Sequence, residues 1–213
     1  MSGRGVHRRR WGAARSLAWA AASFAAGTIP TGRLVTRAVT GEQLDDLGDG
    51  KPGSSNVARS VGWQAGAGVL ALDALKAYVP ATAARLDGAG DGATAAVGIS
   101  AMCGHIAVVR GRGAACALGA AFAMDPAMMA VACVPLVGGS LVHRHAQAVS
   151  ITALSLPLIS LALHRSPRRA LGPLALITVI FAARLKGSPG AGLPASPEIV
   201  WNRFWLDRDE RRG

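Results

Sequence analysis

Long apolar stretches alternate with short, polar, glycine-bearing connections along most of the chain. The apolar stretches cover 17–38, 61–84, 93–109, 114–124, 127–142, 146–163 and 170–183, and runs of this kind predict helices. The pattern therefore predicts an all-α protein: a polytopic integral membrane helical bundle of about seven transmembrane helices joined by short glycine-rich loops. Stretch 114–124 falls short of the ~20 residues that a straight crossing needs. It is expected either to stand alone or to merge with 127–142 around "MDPAMM". Alanine and glycine dominate these segments, as in "AACALGAAFA". Small residues let helix backbones approach closely in lipid, where hydrophobicity cannot drive helices together. No internal repeat is visible, so one domain is expected over 17–190, preceded by a basic tail at 1–16 and followed by a second tail at 191–213.

Composition narrows the class. Of 213 residues, 51% are hydrophobic and only 16% charged, which places a membrane protein ahead of a soluble domain. The net charge of +11 is carried almost wholly by arginine and predicts attraction to anionic lipid and anionic substrates. Nucleic acid is not expected as a partner, because aromatics are 5% and the arginines sit between apolar segments. The basic start, "MSGRGVHRRRWGAARS", has the look of a secretory signal, but the apolar stretches that come after it make a first membrane helix more economical. Cys103, Cys116 and Cys133 lie inside apolar stretches without CxxC spacing and read as small core residues. "HRH" at 143–145 lacks a third ligand nearby, so no metal site is expected. In the last tail, Val200, Trp201, Phe204 and Trp205 fall at helical spacing, which suits either a short amphipathic helix at the headgroup level or a frayed terminus.

Polar residues inside apolar stretches are costly and therefore informative. Asp73 and Lys76 sit one turn apart and can pair, either as a structural ion pair or with the lysine reaching toward the membrane boundary. His105 ends the third stretch, just before "RGRG"; it reads as a core histidine or as a group belonging to a site formed with Arg110 and Arg112. Two connections, "GDGKPGSSNVARSVG" at 48–62 and "RGRGAACALG" at 110–119, combine glycines, basic side chains and a helix start. Glycine lets backbone N–H groups converge on an anion, and arginine adds a planar two-pronged donor suited to phosphate oxygens. A nucleotide-binding P-loop is excluded at the first of these, because Ser54 follows Gly53 where lysine is required and no strand precedes it.

Taken in order, these stretches resemble the bacterial membrane acyltransferases that move a fatty acyl group from acyl phosphate to glycerol 3-phosphate. "GTIPTG" at 27–32 is similar to that family's GSIPxG, and "GDGKPGSSNVARSVG" to its GSGNxGATNxxRxxG, followed by "LDALK" for LDxxKG. "CGHIAVV" with "RGRGAACALG" resembles GHxxPxF followed by GGKGxATxxG, and "RHAQAVSI" is a loose match to RYxSLxSI. The resemblance runs from about residue 27 to 152 and rests on order and spacing. It implies a first phosphate loop of Gly48, Lys51, Gly53, Ser55, Asn56 and Arg59, and a second of Gly111, Arg112 and Gly113. His105, Lys76, Arg144 and Ser150 match further polar positions, with Arg59, Arg112 and His105 implied as catalytic. The implied reaction needs no cofactor: a glycerol hydroxyl attacks the acyl carbonyl and phosphate leaves, giving 1-acyl-glycerol 3-phosphate.

This chain departs from the family pattern at several positions. Asp49 and Lys51 replace a serine and an asparagine, Arg112 replaces lysine, and His145 replaces tyrosine. The proline after "GH" is absent, the next loop is shorter, and no asparagine precedes "RLKG". A carboxylate at 49 repels a bound phosphate unless Lys51 or Arg59 compensates it. Two other readings therefore stand beside acyl transfer: a catalytically degenerate relative acting as a membrane interaction protein, and a small transporter with polar residues across the midplane. With seven crossings, both glycine loops, 143–145 and the last tail fall on one side. The larger share of Lys and Arg lies there, which predicts a plasma-membrane protein with this side cytoplasmic. The basic first tail lies opposite and argues the reverse. The oligomeric state has no signature in the sequence.

Overall fold

The computed structural model describes residues 11–187, 192–194 and 196–209, and every regular element among them is helical. Residues 1–10 of the basic first tail therefore lie outside the described residues. Helix α1 spans Ala13–Gly27 and α2 Thr31–Thr40; a 3-10 turn at Leu44–Asp46 leads to the short α3, Ser54–Ser60. Next come α4 (Trp63–Leu86), α5 (Asp91–Gly104) with a π-helical turn at His105–Val109, and α6 (Ala114–Met124). The chain continues through α7 (Pro126–Leu141), α8 (His145–His164) and α9 (Pro167–Lys186). It closes with α10 (Pro197–Trp201) and a π-helical turn at Asn202–Leu206.

The first predicted stretch, 17–38, is not one helix. Pro30 has no N–H to donate and disfavours helical geometry at Ile29, so the helix ends at Gly27 and restarts at Thr31. The division between 114–124 and 127–142 is sharp. Asp125 caps α7 by accepting from Met128 N at 3.0 Å, and Pro126 occupies the first helical position, where a missing N–H costs nothing. Burial alone would raise the Asp125 carboxyl, but the Met128 and Ala127 amides and His164 hold it below the ordinary carboxylate range. Helix α6 rises only about 16 Å over its residues, roughly half the hydrocarbon thickness.

Helix α4 is the axis of the bundle, packed along α5 and α6, while α1 packs along α5 and α7 along α8. The core of Met102, Cys116, Met128, Met129, Leu176 and Phe181 lies where α5, α6, α7 and α9 meet. Small residues bring backbones into contact. A Cβ on Gly119 would lie 1.9 Å from the Ala74 carbonyl oxygen, so α4 and α6 touch main chain to main chain. Gly119→Ala is accordingly expected to destabilise the bundle by about 1–3 kcal/mol. It would lower the thermal unfolding midpoint in detergent, and an unchanged midpoint would disprove this contact. The outer surface is correspondingly apolar: Val134, Val137, Leu158, Leu171 and Leu174 are all exposed, more aliphatic surface than water favours. Asp91–Val109 and His145–His164 are long and apolar enough to cross a membrane.

Direction alternates along the principal helices. One end of the bundle gathers the C-termini of α1, α5, α7 and α9 with the N-termini of α4, α6 and α8, and therefore both glycine loops. At the other end, Arg85 Nη1 donates to the carbonyls of Ala123 and Met124 at 3.0 and 2.9 Å, joining α4 to the end of α6. The described part of the last tail packs on the bundle. Phe204 stacks on Phe181 with ring centroids 4.1 Å apart, and Arg203 is 2% exposed, so this segment closes onto α8 and α9.

Candidate functional site

The break at Pro30 creates an acceptor. Lys76, one turn beyond Asp73 on α4, donates from Nζ to the Ile29 carbonyl at 2.5 Å, to Thr31 Oγ1 at 3.1 Å and to Asp73 Oδ1 at 2.5 Å. Asp73 Oδ1 also accepts from Thr31 Oγ1 at 2.5 Å, and His105 Nδ1 lies 3.8 Å away from it. All four side chains are buried. An ammonium and a carboxylate so far from water persist only when paired and supplied with further hydrogen bonds, as they are here. Asp73 and Lys76 thus form a structural pair, and the same pair is the centre of a polar cluster inside an apolar bundle.

Both glycine loops abut this cluster. Gly32, next to Thr31, lies so close to the first loop that a Cβ on it would sit 2.5 Å from the Pro52 carbonyl oxygen. Gly111 of the second loop lies flat against the imidazole, where a Cβ would come within 2.2 Å of His105 Nε2. A larger side chain at either glycine would push a loop off the buried polar groups. His105 therefore touches the second loop with one ring nitrogen and faces the Asp73–Lys76 pair with the other.

Within the first loop, Asn56 is the organising residue. Its Nδ2 donates to the carbonyls of Leu47 and Lys51 at 3.0 and 3.1 Å, while its Oδ1 accepts from Asp49 N at 3.2 Å and Ser60 Oγ at 3.3 Å. Gly48 is held at φ +59 against that side chain. These four hydrogen bonds fix the geometry of the loop around the Asn56 amide. Leu44, Val57 and Val69 seal the loop from below. Ser55 and Arg59, four residues apart on the short α3, are exposed on one helical face. Gly53 precedes α3 in extended conformation. The Asp49 carboxylate, which stands where the family pattern has serine, lies 2.9 Å from Arg59 Nη2 and 3.9 Å from Lys51 Nζ. Its charge is thus compensated by both basic side chains of the loop.

The second loop turns through Arg110 at φ 65 and Gly113 at φ 72. Arg112 is engaged on three edges: Nη1 donates to the Ala183 carbonyl at 3.0 Å, Nε lies 3.1 Å from Asp207 Oδ1, and Nη2 lies 3.5 Å from Asp209 Oδ2. Beside it opens a cavity of about 390 Å³ bordered by Ile106, Arg110, Gly111, Arg112, Lys186 and Leu193. A lining that combines basic and aliphatic side chains suits a ligand with an anionic head and an apolar tail.

Two further expected site residues belong to α8 and to the connection that leads into it. Ser150 is wholly buried; it accepts from Arg184 Nη1 at 2.7 Å and donates to the Ala146 carbonyl at 3.0 Å, so it supports α9 and the last tail. Arg144 is exposed on the connection between α7 and α8. The sequence reading overlooked Thr31, the Ile29 carbonyl, Arg184, Asp207 and Asp209. Proline in "GTIPTG" was a usable signal for the first two, whereas the tail contacts have no local signature. The described residues contain no group of His, Cys, Asp and Glu arranged to hold a metal ion.

Residues 17–187 match the model of a family described as glycerol-3-phosphate acyltransferase. The chain is 35% identical over 153 residues to a glycerol-3-phosphate acyltransferase of Geobacter sulfurreducens, covering 69% of this chain and 78% of that protein. It is 33% identical over 173 residues to one of Trichlorobacter lovleyi, covering 78% and 86%. Among solved structures, it resembles the glycerol 3-phosphate form of PlsY, described as an integral membrane glycerol 3-phosphate acyltransferase. That match has a TM-score of 0.74 and 23% identity over 93% of this chain and 96% of that one. The lysophosphatidic acid form of PlsY gives a TM-score of 0.70 and 23% identity, covering 79% and 87%.

Proposed function

This chain belongs to the glycerol-3-phosphate acyltransferase family, and from that premise we propose that it transfers an acyl group from acyl phosphate to glycerol 3-phosphate, forming 1-acyl-glycerol 3-phosphate in phospholipid synthesis. The observation that carries the reading is the buried cluster of Thr31, Asp73, Lys76 and His105, against which both glycine loops are seated. It lets two basic loops, distant in sequence, hold two phosphorylated reactants side by side.

Acyl phosphate is already an activated mixed anhydride, so the protein has to position two anions and offset charge on the leaving phosphate. The glycerol hydroxyl attacks the acyl carbonyl carbon, the bond from that carbon to the phosphate oxygen breaks, and the hydroxyl proton ends on the departing hydrogen phosphate. No serine or cysteine nucleophile and no cofactor enters these steps. Arg59 with Ser55 and Lys51 binds one phosphoryl group at the first loop. Arg112 with the main chain of Gly111 and Gly113 binds the other, and His105 stands between them where the proton moves. Lys76 offsets the buried Asp73 charge and keeps the loops in register. The bundle sits in the plasma membrane as a multi-pass protein, with its apolar outer face in lipid and the loop end toward the cytoplasm.

Protein purified in detergent and given acyl phosphate with glycerol 3-phosphate is expected to release inorganic phosphate and form the monoacyl product. No release above the uncatalysed rate would reject the reading in favour of a degenerate relative. Asp49→Ser removes the carboxylate that competes for Arg59. Because that pair is exposed and worth up to about 1 kcal/mol, the KM for the anionic substrate should fall about two- to fivefold. A rise in KM would give Asp49 a binding role of its own.

A further inference from the structure

The turn at Asn202–Leu206 is anchored firmly enough to fix the position of residues 207–209. Arg184 Nη1 donates to the Phe204 carbonyl at 3.0 Å, and the buried Arg203 donates from Nη1 to the carbonyls of Leu185 and Gly192 at 2.8 and 2.9 Å. The chain then bends at Asp207, with φ 51, a left-handed conformation that aspartate tolerates better than most residues. This bend carries Asp207 Oδ1 to 3.1 Å from Arg112 Nε and Asp209 Oδ2 to 3.5 Å from Arg112 Nη2. Asp209 is shared, since its Oδ1 lies 3.0 Å from Arg203 Nε. The segment lies beyond residue 187, where the family match ends.

We infer that Asp207 and Asp209 compete with a phosphoryl group for Arg112 and thereby set the affinity of the second glycine loop for its anionic substrate. The Nε–Nη2 edge of a guanidinium is one of the edges that a phosphate grips with two oxygens, and in this protein two carboxylates already face it. A phosphate entering the adjoining cavity must displace them or be repelled by them. Lysine, which the family pattern carries at this position, offers no such edge. The arginine and the tail carboxylates therefore work as one device, the longer and flatter cation being answered by an internal anion. The inference rests on the acyl-transfer reading for the identity of the substrate, but competition at Arg112 can be measured without turnover.

The test titrates inorganic phosphate by calorimetry into the full chain in detergent, with the unfolding midpoint of every variant checked first. Asp207→Asn should bind phosphate roughly tenfold tighter. Asp209→Asn should show a smaller gain, because Arg203 shares that carboxylate, and it serves if Asp207→Asn fails to fold. Arg112→Ala should bind phosphate more weakly and should erase the gain when combined with Asp207→Asn. Equal or weaker binding in both aspartate variants, or a gain that survives Arg112→Ala, overturns the proposal. In the turnover assay the KM should fall for one substrate only, acyl phosphate or glycerol 3-phosphate, identifying which phosphoryl group meets Arg112. Tighter phosphate binding in a protein that shows no acyl transfer would uphold the competition and reject the acyl-transfer reading instead.

Discussion

Lys76→Met is expected to abolish acyl transfer and to destabilise the bundle by about 3–5 kcal/mol, the range for stranding one partner of a buried ion pair. Asp73 is 1% exposed, and without the ammonium its charge would face only the Thr31 hydroxyl and His105. The Ile29 carbonyl would lose the donor that ties the α1–α2 break to α4. Both losses act on the same place, because Gly32 seats the first loop beside Thr31. Phosphate release and the thermal midpoint in detergent measure the two effects. The double variant Asp73→Asn, Lys76→Met separates them: it removes the stranded charge and should recover much of the stability, while turnover stays absent. A Lys76→Met protein with wild-type turnover would mean that the cluster is structural only and that the site lies elsewhere.

Arg59→Ala should lower turnover by at least about a hundredfold, the scale for removing one charged donor from a phosphoryl or oxyanion contact. The expected effect on stability is small. The Arg59 side chain is 59% exposed and its partner Asp49 is also bound by Lys51, so truncation strands no buried group. A large kinetic loss with an unchanged unfolding midpoint would mark Arg59 as a substrate-binding residue. Retained turnover would show that the first loop does not bind a phosphoryl group through this side chain. Lys76→Met and Arg59→Ala therefore differ in signature, one losing stability and activity together and the other activity alone.

The course of the chain was legible wherever local chemistry decided it. The boundary at Met124–Pro126 arises from an aspartate cap and a proline at the first helical position, both readable in "MDPAMM". Stretches 93–109 and 146–163 fall within a residue or two of α5 with its π-helical turn and of α8. The reading of 17–38 as one helix failed at a signal that was present, the proline of "GTIPTG". The apolar run on either side outweighed it, although the missing N–H frees the carbonyl that Lys76 takes. The described part of the last tail, expected at the lipid boundary or frayed, is held on the bundle, because Phe204 finds Phe181 and Arg203 finds backbone carbonyls.

By itself, the sequence determined the all-helical class, the two basic glycine loops and the pairing of Asp73 with Lys76. Each of these depends on residues near one another along the chain: hydrophobic periodicity, glycine with arginine, and a spacing of one helical turn. Only the tertiary structure decided that His105 meets Gly111 and Asp73 together, that Asn56 fixes the geometry of its loop, and that Arg112 is held by Asp207 and Asp209. Those contacts join distant segments, and many of them end on backbone carbonyls. Every residue carries such a carbonyl, so no pattern of side chains announces which one a buried cation will find.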